Sequence, residues 1–250
     1  MPKRRYTKPD PIVPDIVVPP VYEEVREPDT GKALPQYLAT RYSKAENVLQ
    51  PVAFIVVFSN GEVREKRYFQ LMMNHCERLK LEFFSKPISP DDLLVDVKAK
   101  KSEYEKTAGA ETPDKYYTLT DVDHFYNDIL RSKAEYENEG IKLIISNPCF
   151  EVWLYYSKRD DRFECFISPE DRLKLSQAVK RFLNEMIPGG VNPAKAVFDI
   201  KENIANARKN YDEDARGIPV QFATNMFLLA EDVLPYIEAD IKVWKEKKKK

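Results

Sequence analysis

The 250-residue sequence has few cysteines and lacks the patterns that cysteine-based sites require. Its three cysteines, Cys76, Cys149 and Cys165, are odd in number and form no CxxC pair. This arrangement argues against a disulfide framework and against a structural zinc site. We expect each cysteine to pack as a small buried hydrophobic residue.

Long apolar runs are also missing. The longest, VAFIVVF and KLIIS, fall far short of the roughly 20 residues that a membrane span requires. The basic N-terminus leads into PDPIVPDIVVPP, which has neither the continuous apolar core nor the cleavage site of a signal peptide. The sequence therefore predicts a cytoplasmic protein with no membrane partner.

Several catalytic motifs are absent as well. There is no GxSxG, no HExxH and no GxxxxGK[ST], which excludes the common serine hydrolase, zincin and P-loop ATPase patterns. The formal net charge is only -1, so basic residues matter where they cluster, in PKRR at the start and KEKKKK at the end. The terminal lysines suit a solvated helix end, and a phosphate contact is the alternative.

Composition divides the chain into three parts. Prolines recur through residues 1–48, where they remove backbone donors and stop helices, and we expect an extended arm that is disordered or lies along the domain or a partner. Residues 49–167 alternate between strand and helix patterns. Residues 168–250 contain helix patterns only, end in the lysine-rich tail, and are expected to pack on the α/β core. Asn192 and Thr224 are predicted caps in this last part, as is Ser168, and Pro235 predicts a kink.

The alternating part predicts an α/β fold with a mainly parallel sheet flanked by helices. Parallel strands joined by right-handed crossovers bring their carboxyl ends to one edge, where ligands bind in open sheets. The predicted strands are Val52–Phe58, Leu81–Phe84, Tyr116–Thr120 and Ile141–Ser146, and the predicted helices are Arg64–Leu79, Asp91–Glu105, Phe125–Glu139 and Phe150–Tyr156.

Two carboxylates follow the third predicted strand in TLTDVDHF. Residues two apart on an extended chain face the same side, so Asp121 and Asp123 are expected to lie together. Paired carboxylates repel unless a cation lies between them, and Mg²⁺ favours oxygen ligands. The alternative is a solvated Asx turn that caps the next helix.

A second candidate is SNPCFEVWLYY, which follows the fourth predicted strand. Asn147 and Pro148 mark a turn, and Glu151 lies in the first turn of the next helix, where the helix dipole favours an anion. Glu151 is expected at the same sheet edge as Asp121. A helix start with one favourable charge is the alternative.

The third candidate is SNGEVREKRYF, after the first predicted strand. Gly61 permits a sharp turn, and Glu62 is placed to reach a metal ion at the strand ends. Arg64 and Arg67 would suit a phosphate backbone beside that ion. The alternative is that Glu62 and Glu65 serve the helix dipole while the basic residues face water.

Taken in order, these segments resemble the RloB family, whose core is a Toprim-type α/β domain. The resemblance covers about Val52 to Leu234, and its most specific part is SNPCFEVWL, Ser146 to Leu154. The other matching segments are the apolar strand before Gly61-Glu62, the helix start Glu65…Tyr68-Phe69, Asp121-Val122-Asp123, and NIANARKNY followed by FATNMFLLAEDVL.

The resemblance implies a metal-dependent nuclease of restriction and phage-defence loci, including abortive infection, often found beside an AAA-type ATPase. In Toprim enzymes a glutamate after the first strand and two aspartates after a later strand hold Mg²⁺ on a phosphodiester. The family motif is similar to C-E-G-E-x-T-E, which places Asn60 where the first glutamate belongs and Arg64 where the threonine belongs. Asn60 has no carboxylate and cannot act as a general base.

Two hypotheses follow. The first is a nuclease that uses Mg²⁺ or Mn²⁺ on RNA, including tRNA, or on DNA, with Glu62 or Glu151 supplying the missing carboxylate. The second is an inactive Toprim-like subunit that binds nucleic acid or regulates a defence complex. RNA is the favoured nucleic acid, and the formation of a homo-oligomer is left as an open alternative. The assigned residues are Glu62, Asp121, Asp123 and Glu151 for catalysis, the first three of these also for the metal, and Asn60, Arg64, Arg67 and Asn147 for substrate binding.

Overall fold

The computed structural model describes residues 42–45, 48–51, 53–59, 61, 63–75, 79–84, 89–107, 112–162, 172–186 and 191–247. The chain divides between residues 51 and 52 into two units. In the first, strands β1 (Tyr42–Ala45) and β2 (Val48–Pro51) pair antiparallel. This hairpin overlaps the arm predicted through residue 48. It is compatible with the sequence because residues 36–50 contain no proline. Residues 1–41 lie outside the described part.

The second unit is built on a parallel sheet. Its strands in the described residues are β3 (Ile55–Ser59), β4 (Leu79–Phe83), β5 (Lys115–Asp121) and β6 (Ile141–Ser146). Their spatial order is β4-β3-β5-β6, and every neighbouring pair is parallel. The predicted α/β fold with a parallel sheet is confirmed. The carboxyl ends of β3 and β5 lie next to each other, and Asp121 at the end of β5 pairs in register with Ser146 at the end of β6.

Both faces of the sheet are covered. Along β3, Ile55 and Val57 pack into one core cluster, while Val56 and Phe58 pack into the other. Successive side chains of a strand point to opposite faces, and all four of these are buried, as expected of a strand covered on both sides. This explains why the strand reads as an unbroken apolar run rather than an alternating one.

Four helices accompany the sheet strands. They are α1 (Arg64–His75), α2 (Pro90–Thr107), α3 (Tyr126–Asn138) and α4 (Glu151–Tyr155). Side chains of α2 and α3 pack in the cluster of Val56, and side chains of α1 and α4 pack in the cluster of Val57. The prediction that the first helix runs to Leu79 is wrong. Leu79 begins β4, because the LKLEF segment pairs in register with β3 from Ile55 onward.

The C-terminal part is helical, as predicted. It contains α5 (Arg172–Met186), α6 (Pro193–Ala196) with a 3₁₀ turn (Val197–Asp199), α7 (Ile200–Lys209) and α8 (Phe227–Lys247). These helices share the core cluster of Val57, so the region packs on one face of the sheet. Among the described residues, no helix combines the length and apolarity that crossing a membrane requires.

Of the predicted helix caps, Asn192 and Thr224 lie in the described part of the chain. Asn192 is a true cap, because its side chain accepts a hydrogen bond from the Ala194 N–H at 3.0 Å. Thr224 accepts a hydrogen bond from the Met226 N–H at 3.2 Å, but α8 begins later, at Phe227. Pro235 lies inside α8. Ser168 and residues 248–250 lie outside the described residues.

A short segment before α8 lies along the outer edge of β6. Thr224 forms an antiparallel bridge with Ser146, and their hydroxyl groups are 2.9 Å apart. The Asn225 side chain accepts a hydrogen bond from the Ile145 N–H at 2.6 Å and donates one to the Leu143 carbonyl at 3.2 Å. An edge strand presents unpaired backbone groups, and these contacts satisfy part of that edge.

Candidate functional site

The turn after β3 holds the buried carboxylate of Glu65 through hydrogen bonds. The Gly61 N–H donates a hydrogen bond to the Ser59 hydroxyl at 3.0 Å, and that hydroxyl donates one to the Glu65 carboxylate. A Cβ atom at Gly61 would overlap the Glu65 carboxylate, so the close approach requires glycine here. Glu65 belongs to the first turn of α1, where the helix dipole favours a negative charge.

The turn after β5 carries the two aspartates. Asp121 is the last residue of β5, and the Asp123 N–H donates a hydrogen bond to the Pro148 carbonyl at 3.0 Å. Asp123 has φ 29°, so it lies in a tight turn and not on an extended strand as expected. Its carboxylate accepts a hydrogen bond from the Ser176 hydroxyl of α5. The two aspartates are therefore positioned by different elements.

The turn after β6 places Glu151 at the start of α4. The Asn147–Pro148 peptide of this turn is cis. The Glu151 side chain is only 7% exposed, and its Oε1 lies 3.0 Å from Nη1 of Arg64. Nζ of Lys180, from α5, lies 3.9 Å from the same oxygen. A buried carboxylate requires a partner of this kind, since an unpaired buried charge is costly.

These side chains line one cleft at the carboxyl edge of the sheet, with a volume of about 290 Å³. Its walls come from the turn after β3, the end of β5, the start of α4 and one face of α5. The lining residues are Gly61, Val63, Arg64, Glu65, Asp121, Phe150, Glu151 and Lys180.

The carboxylates of the cleft affect one another's ionisation. Burial raises the pKa of Asp121 well above its usual range, and the charges of Glu65 and Glu151 raise it further. Burial also raises the pKa of Glu65, with Glu151 adding to the effect against the Ser59 hydrogen bond. Burial raises the pKa of Asp123 as well. The cluster therefore carries more negative charge than its surroundings stabilise, and an added cation would relieve it.

Cys149 lies beneath this cleft. It is fully buried, and burial raises the pKa of its thiol well above the usual value, with Glu151 and Asp121 contributing. The prediction that each cysteine packs as a small buried hydrophobic residue is confirmed for Cys149. Cys76 and Cys165 lie outside the described residues.

A comparison with protein-family models gives one decisive result. The model described as RloB-like protein matches residues 55–233, from β3 into α8. The chain belongs to the RloB-like family. Neither a search of curated proteins nor a search of solved structures found a match. The matched region of this RloB-like chain contains every residue of the cleft, while the hairpin of residues 42–51 lies before it.

The structure brings together some of the residues assigned from the sequence. Asp121, Glu151 and Arg64 line the cleft, and Asp123 is close enough to raise the pKa of Asp121. Asn60 and Glu62 lie outside the described residues.

Two assigned substrate-binding residues lie elsewhere. Asn147 does not line the cleft; its side chain donates a hydrogen bond to the Pro219 carbonyl at 2.7 Å, and its carbonyl accepts one from Phe222. Arg67 is exposed on α1 and is also not part of the cleft lining.

Four residues of the site escaped assignment from the sequence. Glu65 is noted in the sequence as part of the family motif and as a residue that serves the helix dipole, but not as a site residue, although its spacing from Gly61 brings it back over the turn. Ser59 follows an apolar run, and no sequence pattern marks it as a site residue. Ser176 and Lys180 are four residues apart on one helix face, but their distance from the sheet motifs in sequence gave no signal.

The carboxylate oxygens of the cleft are the type of ligand atom that binds a hard divalent cation. Carboxylate oxygens are the ligands that Mg²⁺ and Mn²⁺ prefer, and such an ion would stabilise the ionised forms of Asp121 and Glu65, whose pKa values are raised. Within the described part of the chain, no group of three His, Cys, Asp or Glu side chains is already arranged to hold a metal ion. Ion binding would therefore require side-chain adjustment or a ligand from outside that part.

Proposed function

We propose that this RloB-like protein is a nuclease that uses Mg²⁺ or Mn²⁺ to hydrolyse phosphodiester bonds of RNA or DNA in phage defence. One observation carries the proposal: three carboxylates, the buried Glu65 and Glu151 and the half-buried Asp121, line a single cleft at the carboxyl edge of the parallel sheet, with Arg64 beside them. Ligand sites of open α/β sheets lie at this edge. The resemblance to Toprim enzymes assigns the same edge to the metal.

Asp121 and Glu65 are the proposed metal ligands, with Asp123 and Glu62 as further candidates. Glu65 fills the position that the family motif leaves open at Asn60, because it is the carboxylate that the turn after β3 holds against Gly61 and Ser59. A bound divalent ion would offset negative charge on the phosphorus and lower the pKa of the attacking water.

Arg64 is the proposed substrate anchor. Its guanidinium already pairs with Glu151 at 3.0 Å, and 29% of its side chain is exposed. A planar guanidinium binds phosphate oxygens through two parallel hydrogen bonds, so Arg64 can hold a phosphate while it keeps its contact with Glu151. Glu151 thereby acts as the residue that orients the guanidinium.

The expected partners extend beyond the nucleic acid. The resemblance implies an AAA-type ATPase encoded nearby, and the chain has no P-loop motif of its own. A separate ATPase subunit would supply the nucleotide-dependent step of a defence complex. We also propose that the protein forms a homo-oligomer and is located in the cytoplasm.

A non-catalytic role is the second candidate. Arg64 and Lys180 already pair with Glu151, and the described residues hold no ready-made group of three metal ligands. Such a cleft could bind a phosphate backbone without cutting it. Under this alternative Asn60→Glu would create Mg²⁺-dependent cleavage that the wild type lacks.

A cleavage assay tests the main proposal. The substrates are tRNA, single-stranded RNA and duplex DNA, each with Mg²⁺, with Mn²⁺ and with a chelator. We expect cleavage that requires the metal and falls about 100-fold or more in Asp121→Asn, a loss typical of catalytic groups. Asp96→Asn is the matched control, because Asp96 is exposed on α2. Cleavage that survives in Asp121→Asn would refute the assignment of the site.

A further inference from the structure

Helix α5 contributes Lys180 to the lining of the carboxylate cleft and places Ser176 against Asp123. Ser176 donates a hydrogen bond to Asp123, and Lys180 lines the cleft itself. Residues four apart lie on one face of a helix. Val179 and Leu183 are buried in the core between and beyond them, so the same face is fixed against the sheet. The cleft is therefore shared between the α/β strands and the helical C-terminal part.

The contact of Lys180 with Glu151 is loose. Its Nζ lies 3.9 Å from Glu151 Oε1, beyond the roughly 2.7–2.9 Å of a charge-assisted hydrogen bond, whereas Arg64 reaches the same oxygen at 3.0 Å. The Lys180 side chain is 44% exposed, while that of Glu151 is 7% exposed. Within the described part of the chain, this long contact is the one ion pair of Lys180, and an ammonium group with three donors is then able to bind a ligand from solvent.

The surroundings keep Lys180 protonated. Burial by itself would lower the pKa of Lys180, but the nearby acidic groups, Glu151 first among them, outweigh it and raise the pKa. A lysine held cationic at the mouth of a cleft is a point charge suited to a phosphate oxygen. Arg64 lines the same cleft from α1, so two elements each supply one cation.

We infer that Lys180 binds a non-bridging phosphate oxygen of a nucleic-acid strand in this cleft. The inference rests on the proposed function for the class of ligand, but it does not depend on cleavage. The competing account is that Lys180 only neutralises Glu151. The two accounts differ in binding, because only a direct phosphate contact releases counterions from the nucleic acid.

The test measures binding of a fluorescently labelled single-stranded RNA, and of DNA of the same sequence, across a salt series with Ca²⁺ in place of Mg²⁺. In Lys180→Met we expect the association constant K to fall about tenfold. We also expect the negative slope of log K against log salt concentration to become shallower by about 0.7. Lys180→Arg should keep most of the affinity. If Lys180→Met folds poorly, Lys180→Gln replaces it in the test, with the same expected result.

Arg181→Met is the matched control, because Arg181 is the next residue of α5 and its side chain is 77% exposed. This variant removes the same charge and should leave affinity and slope unchanged. Equal losses in Lys180→Met and Arg181→Met would overturn the inference, as would an unchanged slope in Lys180→Met or a wild type that binds neither strand.

The two proposals fail in different ways. Wild-type binding that depends on Lys180, without any cleavage, would support the phosphate contact and refute the nuclease. Metal-dependent cleavage in a protein whose binding is unchanged by Lys180→Met would support the nuclease and refute the phosphate contact.

Discussion

Gly61 and Glu65 show how one small residue can determine the position of a carboxylate. The Gly61 N–H and the Ser59 hydroxyl form a short chain of hydrogen bonds that ends at Glu65. This chain can form only because the carboxylate lies where a Cβ atom of residue 61 would be. The conformation of the turn and the location of the carboxylate are thus a single feature of the site.

Gly61→Ala should displace Glu65 without unfolding the protein. The atoms that the added methyl group meets belong to the far end of a flexible side chain, which can rotate away. We expect metal affinity to fall about tenfold, as for other changes around metal ligands, while the free energy of unfolding changes by about 1 kcal/mol or less. Calorimetric titration with Mn²⁺ and urea unfolding of the same preparation measure the two effects.

Ser59→Ala is the companion variant. It removes the hydroxyl that links Gly61 to Glu65 but adds no bulk, so the carboxylate stays near its position. Its metal affinity should lie between those of the wild type and Gly61→Ala. If Gly61→Ala binds the metal as tightly as the wild type does, Glu65 is not a ligand.

At this scale the sequence predicted part of the site for a clear physical reason. Asp121 and Glu151 follow parallel strands, and parallel strands bring their ends to one edge whatever the details of packing. Asp123 lies near Asp121 as expected, but in a turn with φ 29° and not on an extended strand. Lys180 could not be predicted, because its place depends on how α5 packs against the sheet.

At the scale of elements, β6 depends on the segment that precedes α8. The side chain of Asn225 satisfies the Ile145 N–H and the Leu143 carbonyl, and Thr224 pairs with Ser146. The sequence predicted β6 with its observed bounds, because it is an apolar run between clear turn signals. The segment beside it was read as a helix cap, since local patterns do not reveal pairing between distant parts of a chain.

Asn225→Ala should destabilise the protein by about 2 kcal/mol, because it leaves a buried backbone N–H and a carbonyl without their partners. Asn225→Asp keeps the acceptor for the Ile145 N–H but places a carboxylate oxygen against the Leu143 carbonyl, so it should also destabilise the protein. Urea unfolding at neutral pH measures both. An Asn225→Ala variant as stable as the wild type would show that the edge of β6 does not need this side chain.

Asp214 makes a turn sensitive to acid. Its carboxylate accepts hydrogen bonds from the N–H groups of Arg216 at 2.9 Å and Ile218 at 3.0 Å, and from the Tyr126 hydroxyl. Burial would raise the pKa of Asp214, but these hydrogen bonds outweigh it and lower the pKa. A lowered folded-state pKa means that the ionised form stabilises the fold.

That stabilisation is fully present above the pKa of about 3.9 that an aspartate has in the unfolded chain. It is lost as the pH falls through the lower pKa of the folded state. Asp214→Asn should therefore be less stable than the wild type at neutral pH, and the difference should shrink in acid. Thermal unfolding from pH 7 downward checks this. A difference that stays constant with pH would contradict the role of the Asp214 charge.

At the scale of the whole molecule, the second unit of the chain unites two regions that differ in sequence pattern. The sequence distinguishes the alternating part from the helices after residue 168 by pattern and predicts that these helices pack on the core, and residues 52–250 form one unit. That packing brings α5 to the carboxyl edge of the sheet, where Lys180 lines the cleft and Ser176 holds the Asp123 carboxylate. The candidate site is thus a product of tertiary structure as much as of the strand ends.

The central claim is that the carboxylates at this edge bind a divalent cation. Titration calorimetry of the full chain with Mn²⁺ tests it most directly, in the wild type, in Asp121→Asn and in the exposed control Asp96→Asn. The account predicts saturable binding in the wild type and the control, and affinity about tenfold or more weaker in Asp121→Asn. Equal affinity in all three proteins, or no binding in the wild type, would contradict it.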